Sequence, residues 1–154
     1  MANLTQFNNA MQNWITKTVP KDVKTMTSAV AIEGHQRVVM MTPVLLGKHR
    51  GGWIVEVGSQ STDLGTPDKA GRDTLKAGKA KIKAAPPFSV INITNNNEAI
   101  LILEEGGFVP TDPGPSKDRR KGRKGRVLVK GGFSVQAPKG MVGITLQVLK
   151  GLFP

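Results

Sequence analysis

The chain has 154 residues, enough for one domain with its own core and too few for two comfortable ones. Its 22 Lys and Arg outnumber 11 Asp and Glu, so the net charge of +11 favours an acidic partner: nucleic acid, an anionic membrane surface or an acidic protein face. The absence of cysteine excludes disulfides, a thiolate nucleophile and cysteine-based metal sites. The polar start lacks a secretory pattern and no stretch approaches the ~20 apolar residues of a membrane span, so we expect a cytoplasm-like location.

Two helices are predicted at the start of the chain. Apolar residues at three- and four-residue intervals follow Asn3, a candidate N-cap, and predict an amphipathic helix over 4–17. Pro20 either ends this helix or opens the next one. A broad apolar face over 21–41 predicts the longest helix, in which Gly34 permits close approach of a neighbouring element. We expect the body to be held by helix faces around Trp14, Val30, Val38 and Ile144.

The middle of the chain alternates between turn-forming and periodic segments. Thr42-Pro43 ends the long helix, because the residue before a proline avoids the helical conformation, and 45–50 is predicted to be a loop. Alternating apolar residues over 53–57 predict a strand, and the Ser-, Thr- and Gly-rich run 59–67 predicts a mobile loop. An Ala- and Lys-rich segment over 68–84 predicts an exposed helix. The apolar positions available to dock it are Ala70, Leu75, Ala77 and Ile82.

A second strand and a closing helix complete the body. Residues 88–94 alternate as a strand does, and the asparagine run 95–97 closes it with a turn. The apolar run 99–103 is too short for periodicity to decide between helix and strand. Pro138 is suited to a first helical turn, and the apolar residues that follow it favour a C-terminal helix over a strand. The sequence therefore predicts a single α+β domain over 1–154, with a small sheet packed against a long central helix and a C-terminal helix.

A basic arm lies between two copies of the tripeptide Gly-Gly-Phe, at 106–108 and 131–133. Glycine pairs let the backbone leave and rejoin a packed body at angles that other residues resist, and each Phe can anchor one root. This pattern predicts a projecting β-hairpin arm over 106–133, returning through an apolar strand at 127–129. Seven cations, opposed by Asp118 alone, supply six of the net positive charges at its tip: Lys117, Arg119, Arg120, Lys121, Arg123, Lys124 and Arg126.

Two interpretations of the arm stay open at this point. A block of like charges is often a solvated, partly disordered loop. Alternatively, the paired glycine roots and the apolar return strand favour a ribbon that orders on a partner. Because no aromatic residue separates the cations, base stacking is unsupported, and backbone phosphates or protein carboxylates are the better targets. Binding to phosphates would be independent of sequence and would fall steeply with salt.

Candidate catalytic residues are few. His35 and His49 lack the neighbouring ligands that a metal site needs, so a satisfied or solvent-facing histidine is expected at both positions. Glu104 and Glu105 are adjacent, and adjacent side chains point apart, which suits a helix cap or an ion pair better than shared acid and base chemistry. We therefore predict no catalytic, cofactor-binding or metal-binding residue and no enzyme activity.

Three stretches together resemble the tail-completion, or head-to-tail joining, proteins of long-tailed bacteriophages. The first stretch is a helix that ends in Thr-Pro-Val and is followed by glycine, basic residues and Trp. The second is a strand, an Asn-Asn turn and the sequence Leu-Glu-Glu-Gly. The third and most specific contains Gly-Phe-Ser, Gln-Ala-Pro and Gly-Met-Val in that order. They occupy 42–53, 93–106 and 132–142. The chain departs from the family where Asn97-Glu98-Ala99 replaces a Leu-Pro-Tyr type of sequence. The residues that the resemblance marks as structural are Trp53, Asn95, Asn96, Glu104, Gln136, Pro138 and Met141.

The resemblance implies an assembly protein of the virion. Such a protein lies at the neck or upper tail, is made in the host cytoplasm, and forms a ring of copies, expected to be a hexamer. Its partners would be a tail terminator, stopper, tail tube or tape-measure protein, with duplex DNA passing the arm as a further acidic partner; no membrane is implied. The alternative function is a free module that binds nucleic acid through the basic arm without sequence preference.

Overall fold

The structure combines helices with two small antiparallel sheets. It is a computed structural model that describes residues 3–44, 46–106, 128–129, 133–134, 137 and 139–153. Within these ranges most of the secondary structure is helical, and helical residues run without a break from Leu4 to Met41. No helix among the described residues is both long and apolar enough to cross a membrane.

A long helical rod opens the chain. α1 (Leu4–Asn13) continues through a π-helical turn (Trp14–Thr18) into α2 (Val19–Met41). The predicted N-cap is confirmed, because the Asn3 side chain accepts a hydrogen bond from the Thr5 N–H at 3.2 Å. Pro20 occupies the first turn of α2, where its missing N–H costs least, so it opens this helix.

Burial is confined to the second half of the rod. In α2 the buried residues are Gly34, His35, Val38 and Val39, whereas neither α1 nor the π-helical turn has a buried residue. Val38 therefore belongs to the core as expected, while Val30 and Ile144 are half-buried. The expectation for Trp14 is wrong, because 55% of its surface remains exposed. The predicted close approach at Gly34 is confirmed, since Leu149 Cδ1 lies 3.2 Å from the position that a Cβ would take.

The main sheet is a hairpin of distant segments. β1 (Ile54–Val57) pairs antiparallel with β2 (Ile91–Thr94), and Val55 lies opposite Ile93. Both predicted strands are thus confirmed in shorter form. The connection between them contains α4 (Arg72–Ala84), which packs against β1 and against α2. The sheet, α4 and the second half of α2 therefore form one packed unit.

α4 begins later than predicted and docks through two of the four predicted positions. Gly71 takes a left-handed backbone (φ 75°) that ends the preceding turn, and the Asp68 carboxylate caps the helix by accepting the N–H groups of Gly71 (2.7 Å) and Thr74 (3.0 Å). Partial burial alone would raise the pKa of Asp68, but these hydrogen bonds hold it below its ordinary value. Of the positions predicted to dock the helix, Ile82 is fully buried and Leu75 half-buried, whereas Ala70 and Ala77 are exposed.

The segment predicted as a loop over 45–50 contains a single helical turn, α3 (Lys48–Gly51), so that prediction is wrong in part. Gly47 has a left-handed backbone (φ 85°), and its carbonyl accepts the N–H groups of Gly51 (2.8 Å) and Asp68 (3.0 Å). These two bonds tie the turn to the start of the α4 region. A four-residue helix is too short to leave a periodic signal in the sequence.

The last elements surround the ends of the arm. The run that left helix and strand open is the helix α5 (Ile100–Glu105). β3 (Leu128–Val129) pairs with β4 (Phe133–Ser134), and α6 (Val142–Leu152) confirms the predicted C-terminal helix. The predicted fold class, an α+β domain with a small sheet, a long helix and a C-terminal helix, is confirmed. The outgoing strand and the tip of the arm lie outside the described residues.

Candidate functional site

The three stretches that carry the family resemblance meet in one buried cluster. Trp53 comes from the first stretch, Leu103 from the second, and Ala137 and Met141 from the third. All four are at most 6% exposed, and they pack against Val38 and Val39 of α2. We call this arrangement the three-segment framework. Leu103 lies 50 residues after Trp53, and Ala137 lies 34 residues after Leu103, so the contacts of the framework are long-range and define the tertiary fold.

Trp53 anchors the first segment through both its ring and its backbone. The indole Nε1 donates to Thr42 Oγ1 at 2.7 Å, and that hydroxyl donates to the Val38 carbonyl at 2.5 Å. The Trp53 carbonyl accepts from His35 Nε2 at 3.3 Å. Burial lowers the pKa of His35 although the hydrogen bond to Trp53 opposes that shift, so the ring is held neutral. Trp53 and His35 are thus structural, as was expected of the histidine.

Arg50 closes the carboxyl end of α2. Its Nη2 donates to the carbonyls of Met40 and Thr42, both at 3.0 Å, and its Nη1 donates to the Lys69 carbonyl at 3.0 Å. A cation at this position satisfies carbonyls that have no intrahelical partner and complements the negative end of the helix dipole. The basic residue of the first stretch is therefore used to build the fold, with its charge directed into the body.

Side-chain amides attach the 59–67 loop and α3 to the end of β2. Asn96 Nδ2 donates to the carbonyls of Ser61 (2.8 Å) and Asp63 (2.9 Å), and Asn95 Nδ2 donates to that of His49 (2.8 Å). Asn92 and Asn97 bind the carbonyls of Ser59 (2.8 Å) and Leu64 (3.3 Å) in the same way. The loop is irregular as predicted, three asparagines (Asn92, Asn96 and Asn97) fasten it to the body, and Asn95 holds α3. The prediction that residues 95–97 form a turn did not include these long-range hydrogen bonds.

Glu104 joins the second segment to the third. Its carboxylate accepts the backbone N–H groups of Met141 (2.6 Å), Val142 (2.8 Å) and Gly143 (2.8 Å). These are the orphan donors of the first turn of α6, so Glu104 caps that helix from a distance of 37 residues in sequence. Of the two roles predicted for the Glu104-Glu105 pair, capping is the one that the structure shows.

The framework also lies where the arm leaves the body. α5 ends at Gly106, which has a left-handed φ of 80°, and α5 contacts β4. The described ends of the arm are therefore neighbours. Gln136, Pro138 and the seven tip cations, from Lys117 to Arg126, lie outside the described residues, so their predicted roles stay predictions.

Two exposed surfaces were missed at the level of sequence. The first is an N-terminal apolar stripe on the free part of the rod, formed by Leu4, Phe7, Met11, Trp14 and Ile15. The second is an α4 basic stripe, formed by Arg72, Lys76, Lys79 and Lys83. The spacing of four, three and four residues puts these cations on one helix face, and this spacing was the available signal. None of the four makes an ion pair within the described part of the chain.

An open groove of about 390 Å³ runs between α2 and α4. His35 and Gln36 line one wall, and Lys76 and Lys79 line the other. No carboxylate, serine or threonine lines it, so the groove offers no nucleophile with an adjacent base. The described residues also contain no group of three or more His, Asp or Glu that could hold a metal ion.

The arrangement joins three segments into one body, brings the described ends of the arm together, and displays apolar and basic surfaces. Comparisons with protein-family models, with curated proteins and with solved structures found no match.

Proposed function

We propose that this chain is a structural virion protein of a long-tailed phage, which acts in tail completion and head-to-tail joining as a ring at the neck or the top of the tail. The observation that supports this most is the three-segment framework. The residues on which the resemblance depends occupy interlocking positions: Trp53 and Met141 share one buried cluster, and Glu104 caps the helix that follows Met141. A chance similarity of three short motifs would not be expected to place them together.

The roles of the parts follow from their chemistry. The framework holds the body and the neighbouring ends of the arm, so charge at the tip can be presented at a defined place on each subunit. The tip cations, Arg119 to Arg126 above all, then grip an acidic neighbour or the backbone of passing DNA. Repetition around a ring multiplies such weak contacts without requiring any one of them to be strong.

Labelling tests the location. Purified virions of the phage that encodes this chain are probed with gold-labelled antibody against it and viewed by electron microscopy. The proposal predicts label at the junction between head and tail. Label confined to the distal tail, or virions that carry none of the protein by mass spectrometry, would contradict it.

Variants test the arm separately from the body. Changing the seven tip cations to Ser should leave the circular dichroism spectrum and thermal midpoint unchanged, and should lower the yield of complete particles in complementation. The matched control changes the α4 basic stripe to Gln, which removes four charges elsewhere. A normal particle yield with the arm variant would refute the role of the arm.

The second candidate is a sequence-independent nucleic-acid-binding module. The α4 basic stripe favours it, because four exposed cations that lack ion pairs on one helix face add a second positive surface to the arm. Its test is duplex DNA binding as a function of salt: neutralising Z phosphates gives a slope of about −0.9Z in log affinity against log salt. Absent or salt-insensitive binding would eliminate this function.

A further inference from the structure

The N-terminal apolar stripe is the exposed apolar face of the free part of the rod. Its five side chains are between 42% and 73% exposed. At roughly 200 Å² for each fully exposed side chain of this size, they present roughly 500 Å² of apolar surface. The largest apolar patch of a typical monomer is of this size and is often functional.

Among the described elements, the C-terminal helix does not extend over the stripe. The rod is continuous from Leu4 to Met41, and α6 packs against it at Gly34. Gly34 lies 19 residues beyond Ile15, which is about 28 Å along the helix, whereas the 11 residues of α6 span only about 16 Å. The stripe therefore overhangs the body, beyond the reach of its own C-terminal helix.

Exposed apolar side chains also lie on α5 and α6, and the Glu104 hydrogen bonds hold α5 next to the start of α6. Leu101 and Ile102 lie on α5, within one turn before Glu104. Leu146 lies on α6 after the turn that Glu104 caps. Leu152 is the last residue of α6, and Phe153 follows it. These five residues, which we call the C-terminal apolar patch, are between 37% and 65% exposed. By the same measure they present roughly 500 Å².

We infer that the N-terminal apolar stripe of one copy docks on the C-terminal apolar patch of a second copy. Together the two surfaces would bury roughly 1,000 Å², the size at which a specific interface becomes stable enough to be biological. Because the two surfaces differ, a joined pair keeps one free surface of each kind, one on each subunit. Such a head-to-tail contact propagates and closes into a ring if the rotation allows.

Charge agrees with this occupant and disfavours others. α1 carries no charged residue, and α6 carries only Lys150, so nothing in either helix repels the other. A helix that lies on an anionic membrane usually presents Lys and Arg on its polar face. The polar face of α1 consists of Thr, Asn and Gln, and the π-helical turn that completes the stripe adds a single cation, Lys17, for lipid headgroups or phosphates.

The inference rests on the proposed ring but is tested without the phage. Because the chain has no cysteine, single variants Phe7→Cys and Leu146→Cys place one thiol on each surface. One variant carries a larger tag, so that mixed and identical disulfides differ in mass. Asn9→Cys, on the opposite side of α1, is the matched control. The two are mixed at high concentration and oxidised.

The expected product is the mixed disulfide between the Phe7→Cys and Leu146→Cys variants. Its yield should be well above the yield of the mixed disulfide between Asn9→Cys and Leu146→Cys. Adding Trp14→Asp to the Phe7→Cys variant should abolish the product. Disulfides only between identical Phe7→Cys copies would mean that the stripes pair with each other, which overturns the inference. Yields no higher than the control would mean that a different partner covers the stripe, with the same consequence. Neither result depends on where the protein lies in a virion, so a failed neck location and a failed contact remain distinguishable.

Discussion

Replacing Glu104 should weaken the fold far more than replacing its neighbour. The Glu104 carboxylate accepts three backbone N–H groups at 2.6–2.8 Å, one of them from the fully buried Met141. Hydrogen bonds to a charged group contribute about 1.5–3 kcal/mol each, but the three share one acceptor group and water can reach the exposed Gly143 after truncation. We therefore expect Glu104→Ala to lower the free energy of unfolding by about 2–4 kcal/mol, above the usual range for loss of an N-cap.

Urea denaturation followed by circular dichroism measures this loss, with the slope compared to confirm that the unfolded state is unchanged. A loss of about 3 kcal/mol would also lower the midpoint of thermal unfolding by about 6–12 °C for a chain of this size. Glu105→Ala is the matched control, because Glu105 is exposed and makes no hydrogen bond or ion pair among the described residues. Its cost should stay within about 0.5 kcal/mol. Equal effects of the two substitutions would refute the cap as the link between the second and third segments.

Three further predictions concern the packing around the framework. Gly78→Ala should lower the free energy of unfolding by about 1–3 kcal/mol, because a Cβ there would overlap the His35 ring. Gly151 has open space around it, so Gly151→Ala should stabilise α6 by about 0.5–1 kcal/mol. Urea midpoints that move in the same direction for both variants would contradict this. Trp53→Phe should lower the free energy of unfolding by about 1–3 kcal/mol, because it removes the buried hydrogen bond to Thr42. A double-mutant cycle with Thr42→Val should show coupling between the two residues, and additive costs would disprove this coupling. The pKa of His35 is lowered in the folded state, so below about pH 6.5 the His35 side chain binds more protons in the unfolded chain than in the folded one. The free energy of unfolding should therefore fall as the pH decreases from 6.5 towards the folded pKa. His35→Gln should abolish that decline.

Local signals in the sequence were sufficient for the elements that depend on neighbouring residues. The Asn3 cap, the end of α2 at Thr42-Pro43 and the C-terminal helix follow from capping, proline sterics and apolar spacing, and each is confirmed. Glu104 could be assigned a short set of roles because adjacent side chains point apart. Its partner could not be named, since a helix start 37 residues away leaves no mark on the local pattern.

Periodicity predicts which face of a helix is apolar but not what covers it. α1 is amphipathic as predicted, yet none of its residues is buried, and Trp14, which follows it in the π-helical turn, is 55% exposed. In α4 the prediction was right for Ile82, which is fully buried, and wrong for Ala70 and Ala77, which are exposed. The buried Gly78 was missed; the His35 ring needs the space that this glycine leaves. The asparagine bonds to the 59–67 loop were missed because an amide that binds a distant carbonyl has the same local appearance as one in a turn.

The most direct test of the proposed joining role is electron microscopy of a lysate of the phage with this gene deleted, counting whole virions, filled heads and free tails. The account predicts abundant filled heads beside unattached tails, with whole virions restored when the intact gene is supplied in trans. Whole virions in normal number without the gene would contradict a joining role and would favour the nucleic-acid-binding alternative.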